Sequence, residues 1–164
     1  MQLVIGYGNE MRGDDAIGPR VARAVEALNL PNVSTRVVFQ LTPELAEPLA
    51  RASRAVFVDA ALGGPAGSID VRPLEPLDLR TPLGHLAQPP SLLALAQAVF
   101  GHAPPAWIVR IFGTTFDLGL APSRDAEQAA LAAVDAVVSL LSQPLNTHDD
   151  PHPHPHDPRE GAPR

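Results

Sequence analysis

The stretch from Val4 to Pro19, VIGYGNEMRGDDAIGP, constrains this chain more than any other. Leu3, Val4 and Ile5 form a short apolar run of the kind that becomes a buried strand. The run breaks into Gly6-Tyr7-Gly8-Asn9, and helical spacing begins near Asp14 and Asp15. Strand, glycine turn and helix in that order open a doubly wound α/β domain, whose ligand crevice lies beyond the carboxyl ends of its parallel strands. The loop therefore sits where chemistry sits, and it carries two adjacent carboxylates.

Two phosphate-binding patterns fail here. The dinucleotide fingerprint needs a third glycine three residues after Gly8, and Gly13 comes two places late. The nucleotide P-loop needs a lysine after its last glycine, and Gly13 is followed by Asp14. Phosphate on a helix N-terminus depends on bare N–H groups and positive potential, which Asp14 and Asp15 cancel. The loop suits a cation or a water. One Asp is explained as a helix cap contributing about 1 kcal/mol, and Asp14 is assigned to that role. A second Asp in a glycine-rich turn is not so explained.

The remaining chain alternates. Ile17 to Leu28 has helical spacing, Val33 to Phe39 reads as a strand, and Thr42-Pro43 starts a helix that runs to about Arg51. Ala55 to Val58 is a continuous apolar run, as in a central parallel strand, and it stops at Asp59. Ser68 to Pro73 alternates and reads as an antiparallel strand near an edge. A proline-rich loop from Leu74 to Pro90 carries His85. A helix with Ser91 as N-cap runs to Phe100, Trp107 to Phe112 is another buried strand, and Pro122-Ser123 opens a last helix with Ala130, Val134, Val137 and Leu141 on one face. The order predicts an α/β fold: a three-layer α/β/α sandwich around a twisted, mostly parallel five-stranded sheet.

Residues 1–142 read as one domain and 143–164 as a disordered His/Pro-rich tail. His152, His154 and His156 alternate with proline, so an extended chain points them in different directions and weakens any chelate. At 164 residues the chain suits one domain large enough for a core. A net charge of −6, with all twelve basic residues arginine and scattered, excludes a nucleic-acid partner. The absence of cysteine excludes disulfides and thiol catalysis. No apolar run approaches the roughly 20 residues a membrane span needs, so no membrane insertion and a cytoplasmic location are expected.

Three groups converge on one sheet edge: Asp15 after the first strand, Asp59 after the third, and His85 in the long loop. Two carboxylates and an imidazole make a metal-binding set with open coordination positions. His102 competes for the imidazole role, but it follows the helix-ending Gly101 and is expected away from the crevice.

GYGNEMRGDDAIGPRV, then QLTPELAEPL, VFVDAALGG and a single histidine ahead of LLALAQAVFG and PPAWIVRIFG, resembles the hydrogenase maturation proteases over residues 1 to about 142. These endopeptidases trim the C-terminal extension of the large subunit of nickel–iron hydrogenases. The resemblance implies an aspartic-type or metal-dependent peptidase, with Asp15 and Asp59 as catalytic carboxylates and Asp15, Asp59 and His85 contacting metal. It implies nickel as the metal, supplied by the large-subunit precursor, and no organic cofactor. The match is loosest around His85, where Leu86 to Pro90 is proline-rich. A non-proteolytic nickel metallochaperone and a small-molecule α/β enzyme are the rival readings of the same crevice.

Overall fold

The computed structural model describes residues 1–78 and 87–144. Among them lie five strands and four α-helices: β1 (Gln2–Tyr7), α1 (Ile17–Ala27), β2 (Val33–Val38), α2 (Ala46–Ala50), β3 (Arg54–Ala61), β4 (Ile69–Leu74), α3 (Pro89–Phe100), β5 (Ala106–Phe112) and α4 (Arg124–Ser142). Short 3-10 turns at Gly13–Ala16 and Pro43–Leu45 lead into α1 and α2. His85 and the histidine tail lie outside the described residues.

The sheet runs β2-β1-β3-β5-β4. Four strands are parallel, and β4 pairs antiparallel with β5 at the edge, as its alternating sequence predicted. β1, β3 and β5 are apolar on both faces because both faces are covered, which is what a continuous Val/Ile/Phe run demands. One face carries α1 and α4 over Val4, Val56, Val58, Val109 and Ile111. The other carries α2 and α3 over Leu3, Ile5, Ala55, Phe57 and Ile108. The predicted three layers are present.

Element boundaries differ where tertiary contacts outweigh local signals. β3 does not stop at Asp59. Its pairing with β5 continues through Asp59↔Arg110 to Ala61↔Phe112, so the carboxylate is part of the strand. Helix α3 starts at Pro89, with Gln88 rather than Ser91 as its cap, since prolines are well tolerated in a first turn. Thr42 makes no side-chain capping bond, and its helix is a 3-10 turn followed by only five α-helical residues. In α4 the fully buried face is Ala126, Ala129, Ala133, Val137, Leu140 and Leu141. Ala130 and Val134 stand at its margin, and Ser123 is the N-cap, accepting from the Ala126 N–H at 3.2 Å.

Candidate active site at the carboxyl edge

Pleating sorts the strand residues by face with a period of two. Leu3 and Ile5 in β1, Ala55 and Phe57 in β3, and Ala106 and Ile108 in β5 share the α2/α3 face. The next residues in those series are Tyr7, Asp59 and Arg110. Pairing places Gly6 beside Val58 and Asp59 beside Arg110, so one further step sets Tyr7 beside Asp59. The result is a row of phenol, carboxylate and guanidinium across the carboxyl end of the sheet, with Asp70 of β4 opposite Arg110.

Burial pushes the Asp59 carboxyl up to about 6. A hydrogen bond with Tyr7 pulls against that rise, the charge of Asp15 adds to it, and the Ala60 N–H and the Arg110 charge pull back. Burial, the Asp59 charge and their shared hydrogen bond hold the Tyr7 phenol well above its ordinary range. Tyr7 therefore stays protonated and serves as the donor to Asp59. A carboxyl group in a crevice whose proton affinity is raised towards neutrality is a hallmark of acid–base sites.

Asp15 comes from the 3-10 turn before α1. Its carboxylate accepts the Asn9 N–H at 2.8 Å, and its charge reaches Asp59. Two glycines make this approach possible. Gly8 has a positive φ of 142°, and a Cβ there would collide with the Asp15 carbonyl. A Cβ on Gly18 would strike the carbonyl oxygens of both Tyr7 and Val58, so its absence lets α1 begin directly on β1 and β3. These two close approaches account for Gly8 and Gly18 of the first motif.

Asp14 does something other than cap its helix. It is 0% exposed and points away from Asp15 into the loop after β5. Its Oδ2 accepts the N–H groups of Thr114 at 2.7 Å and Thr115 at 3.0 Å and the Ser123 hydroxyl at 3.0 Å, while Oδ1 accepts the Ser123 N–H at 2.5 Å. Burial raises its pKa, but bonds from Thr115, Ser123 and Thr114 outweigh burial and hold the carboxyl below the usual carboxylate range. The adjacent aspartates thus divide the work: Asp15 faces the crevice, and Asp14 ties the first loop to the last one.

The structure brings Asp15 and Asp59 together. His85 lies outside the described residues, and among those described no group of three or more His, Cys, Asp or Glu side chains is arranged to hold a metal. His102 is exposed and lies between α3 and β5, at the amino edge and away from the crevice, as expected. Tyr7 and Arg110 were not singled out in the sequence. The signal for Arg110 was present: a lone charge inside the apolar run WIVRIF requires a buried partner or a site.

No protein-family model matches the chain, and no curated protein sequence matches it. Solved structures do. A hydrogenase 2 maturation peptidase from a Thaumarchaeota archaeon is 26% identical, with a TM-score of 0.64, over 86% of this chain and 97% of that one. The hydrogenase maturating endopeptidase HybD from E. coli is 21% identical, with a TM-score of 0.68, over 85% and 91%. The NiFe hydrogenase maturation protease HybD from Thermococcus kodakarensis is 20% identical, with a TM-score of 0.69, over 85% and 97%. The class defined by fold and site is a three-layer α/β domain with paired carboxylates in its carboxyl-edge crevice. Within that class, the resemblance drawn from the first motif holds in three dimensions: the architecture is that of the hydrogenase maturation proteases.

Proposed function

We propose that this chain is an endopeptidase that removes the C-terminal extension of a nickel-loaded nickel–iron hydrogenase large-subunit precursor. One observation carries the reading. Asp15 and Asp59 stand at the same carboxyl edge, near enough for the charge of Asp15 to raise the Asp59 pKa, in a fold shared along nearly the full length of a maturation peptidase 26% identical to this chain.

In this reading Asp59 is the general base. It takes a proton from water as the water oxygen attacks the scissile carbonyl carbon. It then returns that proton to the departing amide nitrogen as the C–N bond breaks. A group whose pKa lies near the working pH performs both transfers efficiently. Tyr7, donating to Asp59, fixes the orientation of the carboxylate. Asp15, whose carboxylate accepts the Asn9 N–H, contacts the nickel carried by the substrate together with Asp59 and His85. Two carboxylates and an imidazole leave a nickel shell incomplete, so the precursor must supply the rest and only a loaded precursor is anchored for attack.

The test is co-incubation with a large-subunit precursor, with and without nickel, read by mass spectrometry. A single C-terminal peptide released only from the nickel-loaded form supports the reading. Equal cleavage of nickel-free precursor removes nickel from the mechanism and keeps the peptidase. No cleavage by folded protein overturns the peptidase and leaves nickel delivery as the reading to pursue.

A further inference from the structure

A groove of about 350 Å³ opens between the first loop and the tip of β2, lined by Gly8, Asn9, Met11, Val37, Val38 and Phe39. Met11 is 66% exposed and Phe39 64%. Single exposed apolar residues are ordinary on any surface, but here two large ones line one groove, next to the loop whose Asn9 N–H donates to Asp15. The ion pair of Glu10 with Arg23, at 2.6 Å, also borders the groove and neutralises its own charge, leaving no unpaired charge there to attract an ionic side chain.

The groove is preformed and joined to the carboxylates. The Gly8 N–H donates to the Val38 carbonyl at 3.2 Å, and the Gly119 N–H donates to the Met11 carbonyl at 2.8 Å. The Met11 N–H donates to the Asn9 side-chain carbonyl at 3.0 Å. Asn9 forms part of the groove wall and gives its own N–H to Asp15 at 2.8 Å. Because β2 is an edge strand, the groove is open on its outer side, so a chain lying in it can run on into solvent. Its volume sits at the small end of ligand pockets, which fits a side chain and not a folded surface.

We infer that this groove is the specificity subsite of the reaction proposed above, and that it accepts one large apolar side chain of the substrate segment within a residue or two of the scissile bond. The inference rests on the proteolytic reading. An extended chain advances about 3.3 Å per residue, so a peptide bond held at Asp15 and Asp59 brings a neighbouring side chain to the Asn9 wall. Met11 and Phe39 supply the apolar contact, and the fixed loop supplies it without an ordering cost.

The test is the double substitution Met11→Ser and Phe39→Ser, both at exposed positions, with a thermal melt to verify the fold. Cleavage of nickel-loaded precursor should show KM raised about tenfold with kcat within twofold. Binding of the same precursor to Asp59→Asn protein should weaken about tenfold when the two serines are added. Exchanging the large apolar residue nearest the cut for Asp should penalise the unsubstituted enzyme in the same way and add nothing to the double variant. KM and affinity within twofold of the unsubstituted protein overturn the subsite while leaving the peptidase standing. Groove-dependent binding without any cleavage keeps the groove as the binding site for the precursor and overturns proteolysis. Neither binding nor cleavage overturns both. A dimer in size-exclusion chromatography that the double variant splits assigns the groove to a second copy and overturns the substrate assignment.

Discussion

Strand β3 carries a charge near each end, Arg54 buried and Asp59 partly buried, and the two are treated in opposite ways. At its start Arg54, 2% exposed, donates to the carbonyls of Leu140 at 2.5 Å, Leu141 at 3.2 Å and Gln143 at 2.9 Å, where α4 ends. It also stacks over Trp107 at 5.3 Å. Burial lowers its pKa, but a guanidinium at the negative end of a helix dipole, beside carbonyls that need donors, is matched to its surroundings. At the other end Asp59 is partly buried, and burial together with the charge of Asp15 raises its pKa to about 6. The amino edge spends its buried charge on holding α4 to the sheet. The carboxyl edge keeps a charge that the fold penalises, as expected where stability is given up for reactivity.

The largest test of that contrast is Asp59→Asn. Cleavage should fall by about 10² to 10⁴, the usual weight of a general base, while the fold becomes more stable. Because the folded pKa of Asp59 lies above the unfolded value, its protonated form favours the native state. That contribution is full below pH of about 4 and is lost as pH rises through about 6. The wild type should therefore lose on the order of 3 kcal/mol across this window, and Asp59→Asn should not. Melts from pH 4 to 8 check both slopes; a variant less stable than wild type at pH 8 would break the comparison.

Arg54→Met should act the other way. Truncation strands several carbonyls at the α4 terminus at about 1 to 3 kcal/mol for each buried group left unpaired, so a loss of about 3 kcal/mol is expected in urea unfolding. The kcat of the folded fraction should be unchanged, since Arg54 lies at the opposite edge from the crevice. Asp14→Asn comes next, at about 2 kcal/mol. Its carboxylate accepts four hydrogen bonds, and an amide must turn an NH₂ group towards donors. This reverses the mild effect expected of a cap, where Asn nearly equals Asp; a calorimetric loss below about 0.5 kcal/mol would restore the cap.

Tyr7→Phe should have the smallest effect. It removes the hydrogen bond that lowers the Asp59 pKa, so the acid limb of the pH–rate profile should move to higher pH, with kcat at its plateau reduced by less than about tenfold. A limb that stays in place or moves down would remove Tyr7 from the proton-holding role.

Some of this was legible before any coordinates. The strand–glycine–helix opening, the apolar run of β3 and the alternation of β4 are local patterns with periods set by backbone geometry, and they were enough for the layers, the edge position of β4 and the carboxyl-edge position of the loop that carries Asp14 and Asp15. The boundaries were less legible, because β3 runs past Asp59 only through its pairing with β5. No local signal distinguishes a strand-ending carboxylate from one inside a strand.

What only the tertiary structure decided are the partnerships. Asp14 and Asp15 are neighbours of one residue type, and nothing local tells which faces the crevice. A tight 3-10 turn sends one to Ser123, 109 residues on, and the other to Asn9. The Tyr7–Asp59–Arg110 row exists because three strands from distant parts of the chain share one register. The groove between Met11 and Phe39 likewise needs the first loop folded back on β2. A sequence states which side chains are available and with what local period. Which of them share a low-dielectric space, and hence which proton is shifted, depends on contacts between segments far apart in the chain.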